Sequence, residues 1–144
     1  MITEQDLKNK CTPEFTKWMC ELAEGFEWRN ENNVIWIHVP SDIIMVGSKY
    51  FSNDSYFPLL IHRAVEGWNK DTRERNFKIL CLSDRVVFIE IDKYGNMKGK
   101  RSDKDIYQFK NYQPSLLTQA ECAELDCLLD IFKEEVSNGN NDTK

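Results

Sequence analysis

A chain of 144 residues, 41% hydrophobic and 12% aromatic, is long enough to bury one core and too apolar to be disordered. Its formal charge of −5 argues against a general DNA or membrane-surface binder, because both need a basic footprint. No apolar run approaches the roughly 18 residues that span a bilayer, and the polar first ten residues lack a secretory leader pattern, so the cytoplasm is the expected compartment.

A short helical turn is expected around Glu4–Lys10. The first clear helix lies in "TPEFTKWMCELAEGF". Thr12 suits the N-cap, Pro13 the first helical position, and Phe15, Trp18, Met19 and Leu22 recur at helical spacing. Gly25 can end it in a left-handed conformation. "FEWRNENNVIWIHVP" reads as a hairpin whose second strand puts Val34, Trp36 and His38 on one face, with Ile35, Ile37 and Val39 on the other, and Pro40 at its end. "SDIIMVGSKYFSND" fits either a short helix or a strand and is read as an irregular connection.

"SYFPLLIHRAVEGW" predicts a second helix, with caps among Asn53, Asp54 and Ser55, Pro58 in the first turn and Gly67 near the end. After the charged "DTRERN" loop, "FKILCLSDRVVFIEIDK" gives two strands about a Ser-Asp-Arg turn. "YGNMKGKRSDKD" reads as a turn and basic loop, and "IYQFKNY" as a further short strand. Thr118 and Glu121 form a capping box for a last helix striped by Leu125, Leu128, Leu129, Phe132 and Val136. Residues 137–144 are polar and expected to be disordered. The expected fold is a single α+β domain over residues 1–136. It has an antiparallel sheet of four to five strands built from two hairpins and three main helices, in the order α-β-β-α-β-β-α.

The two inner helices echo each other at a shift of 42 positions, Phe15 matching Phe57 and Glu24-Gly25-Phe26 matching Glu66-Gly67-Trp68. Any two amphipathic helices that end in glycine would match about as well, so ordinary packing accounts for the echo without duplication.

On the second helix, Phe57, Leu60, Ile61, Ala64 and Trp68 fall on the face expected to be buried, and Leu59, His62, Arg63 and Glu66 on the outer face. His62 and Glu66 are four apart and Arg63 and Glu66 three apart, so both pairs can touch. A base steered by a carboxylate is one interpretation; a solvated face of ordinary ion pairs is the preferred one. Leu59 on that face suggests that another element or a partner covers it, which makes Leu59, His62, Arg63 and Glu66 the candidate binding residues. The five cysteines, Cys11, Cys20, Cys81, Cys122 and Cys127, contain no C-x-x-C pair and are expected to be reduced and mostly buried. Cys81, in the apolar "KILCL", is expected to be buried and inert, which disfavours a Cys81–His62 nucleophilic pair. Two isolated histidines do not make a zinc site, and no nucleotide or hydrolase glycine motif is present, so neither metal nor cofactor is expected. The basic stretch Lys93, Lys98, Lys100, Arg101, Lys104 and Lys110, interleaved with Tyr94, Tyr107, Phe109 and Tyr112, is the best case for a nucleic-acid contact, with Lys98, Lys100, Arg101 and Lys104 as its candidates.

The helix "FPLLIHRAVEGWN" and the later "LTQAECAELDCLLDIF" resemble small uncharacterised proteins of phages and prophages of Bacteroidota, over about residues 55–92 and 115–132. The resemblance carries no activity and no functional residue. It implies a setting, a phage accessory or virion protein made in a bacterial host cytoplasm. The expectation is therefore a non-enzymatic protein that acts by binding a host or virion protein. The alternatives are nucleic-acid binding by the 93–110 loop and a small enzyme centred on His62.

Overall fold

The computed structural model describes residues 1–31, 34–38, 44–47, 57–70, 76–100 and 106–142. In chain order these form β1 (Ile2–Thr3), α1 (Glu4–Asn9), α2 (Pro13–Leu22), β2 (Glu27–Glu31), β3 (Val34–His38) and β4 (Ile44–Gly47). Then come α3 (Phe57–Lys70), β5 (Phe77–Cys81), β6 (Arg85–Ile91), β7 (Met97–Lys100), β8 (Ile106–Gln108), a 3-10 turn (Phe109–Asn111), β9 (Tyr112–Gln113) and α4 (Gln119–Asp142). The class is α+β, with three main helices, one short one and a four-stranded antiparallel sheet.

The helix starts follow local chemistry. Thr3 caps α1 in a reciprocal box with Asp6, and the Thr12 hydroxyl accepts from Phe15 N–H ahead of Pro13. Thr118 and Glu121 make the expected box at α4, with bonds of 3.1 and 2.8 Å. Beyond α2, Gly25 takes a φ of 89°, which a residue with a Cβ adopts only at a cost. The caps expected for α3 at Asn53–Ser55, and Pro40, lie outside the described residues. The helix α4 runs on to Asp142, so residues 137–142 of the segment expected to be a disordered tail are helical.

Gly67 does not end α3, which continues for another three residues. A Cβ at Gly67 would stand 1.8 Å from the Leu22 carbonyl oxygen, so this glycine sets how closely α2 and α3 cross. Its counterpart in the echo, Gly25, serves a turn instead. The two glycines do different work, which leaves the echo with its packing explanation.

The two hairpins stand in separate sheets. In the first, β3 lies between β2 and β4, all antiparallel. Ile44–Gly47 is thus a strand, where an irregular connection was expected. The second has β6 at its centre. On one side β5 pairs with it from Phe77↔Glu90 to Cys81↔Val86. On the other side β7 and β8 pair with its two ends, Lys100 opposite Ile89 and Ile106 opposite Val87. These two strands are therefore halves of one interrupted edge, so Met97–Lys100 belongs to the sheet and not to a basic loop. Val86, Val87, Phe88, Ile89 and Ile91 are all buried, which accounts for the nearly continuous apolar run of a strand covered on both faces. The opposite edge, β5, is closed by Asn69 of α3. Its amide donates to Ile79 O and accepts from Ile79 N–H, both at 2.9 Å, as a neighbouring strand would. A short parallel pair joins β1 to β9, Ile2 opposite Tyr112.

The core lies between the helices and the face of β5–β8 that carries Phe77, Ile79, Val86, Phe88 and Tyr107. Phe57, Leu60, Ile61, Ala64 and Trp68 of α3 are buried in it, as the helical spacing predicts. Aromatic rings run through it from Trp18 to Trp68, Phe77, Phe88 and Tyr107, at centroid separations of 5.0 to 6.2 Å. The Tyr107 hydroxyl donates to Asp130 of α4 at 2.7 Å. Two residues on, Phe132 returns to Trp18 at 5.5 Å, closing the circuit through the helices.

Candidate functional site

The outer face of α3 carries the site residues expected from the sequence. Leu59, His62 and Glu66 are exposed and Arg63 is half-buried. The expected pairing of His62 with Glu66 is replaced. Both ring nitrogens of His62 face α4 instead, Nε2 at 3.0 Å from Glu121 Oε2 and Nδ1 at 3.6 Å from Glu124 Oε1. The reason is electrostatic. Glu121 and Glu124 are buried carboxylates one turn apart, and a cation near them is worth more than one near an exposed Glu66. Arg63 and Glu66 act instead toward the exposed Lys70–Glu24 ion pair at the far end of α3.

Glu121 has two duties. Oε1 accepts from Thr118 N–H in the capping box, and Oε2 takes His62 Nε2. The histidine therefore ties α3 to the first turn of α4. Glu124 raises its pKa most, by hydrogen bonding and by charge. Glu121 adds to this, and desolvation offsets part of it, leaving the ring at about 9. His62 is an imidazolium at neutral pH, with its nitrogens directed at acceptors.

Cys81 corrects an expectation. It lies on the last residue of β5 and is exposed, whereas Cys11, Cys20, Cys122 and Cys127 are buried. A strand end leaves its last side chain uncovered even in an apolar run. Partial enclosure of the thiol raises its pKa, and the negative charge of Glu124 raises it further. The thiol thus sits near the cluster without being activated by it.

From its place in the sequence Glu121 is legible only as a cap, and Glu124 carries no role. The available signal was Glu124 within "AECAELDCLL", a carboxylate between core residues that demands a cation from elsewhere in the fold. Two exposed leucines have no helical position to announce them. Leu59 is 39% exposed, as its helical position predicts, but Leu82 is 43% exposed and Leu116 65%. Leu59 stands one turn before His62, Leu116 stands two residues before the α4 cap, and Leu82 follows Cys81.

The basic candidates separate. Lys98 is exposed on β7, Lys100 is the last residue of that strand, and Arg101 and Lys104 lie outside the described residues. Among the described residues no three His, Cys, Asp or Glu side chains are grouped to hold a metal ion. No described helix is long and apolar enough to cross a membrane. No family model, curated protein or solved structure matches the chain.

Proposed function

We propose that the chain is a non-enzymatic protein-interaction module. In the setting implied by its resemblance to phage and prophage proteins, it would act as an accessory protein that binds a host or virion component. The observation that carries this reading is the placement of three exposed leucines: Leu59 three residues before His62, Leu116 five residues before Glu121, and Leu82 next to Cys81, whose thiol feels the charge of Glu124. Large apolar side chains beside fixed charges on rigid elements supply both contact area and orientation to a protein partner. The same clamp weighs against a His62-centred enzyme. A general base must be free to take a proton near the working pH, and this ring already holds one. The exposed thiol nearby is raised rather than lowered, which is the wrong direction for a nucleophile.

The test is affinity capture from a bacterial lysate by the wild-type chain and by a Leu59→Asp, Leu116→Asp variant whose fold is verified by circular dichroism. The expected result is a defined protein retained by the wild type and lost by the variant. Retention of the same proteins by both, or of none by either, overturns the reading.

A further inference from the structure

The β6–β7 hairpin presents a surface independent of the α3–α4 face. Its turn is tightly built. Asp92 Oδ1 accepts from Tyr94 N–H and Asn96 N–H, both at 2.9 Å. Gly95 N–H donates to Asp92 O at 3.0 Å, with Gly95 at a φ of 85°. The one acid of the turn is thereby spent on its own backbone. What the turn displays is Tyr94, 76% exposed, and Met97, 68% exposed. Lys93 places its Nζ 5.2 Å from the centre of the Tyr94 ring, and Lys98 is exposed beside Met97.

Charge separates this hairpin from the rest of the chain. Residues 93–100 contain three lysines and no acid, and without them the formal charge of −5 becomes −8. An aromatic ring open to solvent, an adjacent thioether and neighbouring ammonium groups form the minimal set for a base and its flanking phosphates. A protein partner fits less well. Two apolar side chains and two lysines cover far less than the ~800 Å² per partner of a standard protein interface.

We propose that the hairpin tip binds single-stranded nucleic acid, one base stacking on Tyr94 against Met97 while Lys93 and Lys98 meet the phosphates. The preformed turn removes most of the ordering cost, and stacking on a tyrosine makes the contact tolerant of base identity.

Fluorescence anisotropy of a fluorescein-labelled 12-mer of thymidylate, titrated with the full chain, tests this. Binding is expected at 20 mM salt, with two phosphate contacts giving a log–log salt slope of about −1.4. Tyr94→Ala should weaken it by about tenfold, Tyr94→Phe should restore it, and Lys93→Glu with Lys98→Glu should abolish it. Gln5→Ala, at an exposed position of α1, should leave it unchanged. Absence of binding at low salt, or binding indifferent to Tyr94→Ala, overturns the proposal. So does equal, Tyr94-dependent binding of a fluorescent 12-residue polyglutamate, which would make the tip a site for acidic protein segments.

Discussion

His62, on the outer face of α3, takes its charge partners from α4. Position 66 offers the nearest carboxylate in sequence, but Glu121 and Glu124, more than fifty residues away, offer buried ones. The consequence for pH has a definite sign. The folded pKa, about 9, lies above the ordinary 6.5 of a free histidine. The stabilisation is therefore complete below about pH 6.5 and is lost as pH rises through about 9. His62→Gln should melt below the wild type at pH 6 and with it above pH 10. Half-exposure of the ring and solvent screening limit the difference to about 1 kcal/mol. Melting curves of both proteins at pH 6, 8 and 10 check this, and a gap that widens with pH would refute it. Gly67 makes the opposite kind of contribution, through an atom it lacks. Gly67→Ala adds helix propensity but drives a Cβ onto the Leu22 carbonyl, so a net loss of about 2 kcal/mol is expected in chemical denaturation.

At the scale of elements, the sequence was informative wherever one local rule acted alone. Thr12-Pro13 and Thr118…Glu121 marked helix starts because capping needs only three or four residues. The buried face of α3 followed from a 3.6-residue period. What stayed hidden needed a partner from far along the chain. Met97–Lys100 carries two lysines and a glycine, so it has little strand propensity of its own, and it is a strand because β6 offers it an unpaired edge. Cys81 looked buried because its run was apolar, but burial ended with the strand. Of the candidate site, Leu59 and His62 were legible from helical position, while Glu124, Leu82 and Leu116 became relevant only once α4 and β5 were placed beside α3. Edge protection was also invisible, since nothing near Asn69 announces that its amide will imitate a strand. Asn69→Leu should cost about 2 kcal/mol by stranding the Ile79 N–H and carbonyl. It should also uncover the β5 edge. Calorimetry should find the destabilisation and light scattering on warming should find association; a variant that stays monomeric and equally stable would show the edge needs no cover.

The molecule as a whole is held together by contacts between its ends. Glu4 is buried and accepts the Leu117 N–H just ahead of α4, while Lys8 stands 3.4 Å from the same carboxylate. Leu7 is fully buried in the common core with Leu117, Cys122 and Leu125. Deleting residues 1–10 should therefore lower the melting midpoint by more than 10 °C or abolish the cooperative transition, since it opens the core and strands a backbone donor together. Thermal denaturation followed by near-ultraviolet circular dichroism reads this, and an unchanged midpoint would mean that the first segment is only an appendage. The parallel pairing of Ile2 with Tyr112 has a further consequence for how the chain is made. At ribosomal rates of about 5–20 residues per second, roughly 6–20 s separate the synthesis of the two partners. Until α4 follows, Leu7 and, once they are made, the inner faces of α2 and α3 stand without it to cover them. The nascent chain, rather than the finished one, is where this fold is most exposed to proteolysis, self-association and capture by chaperones.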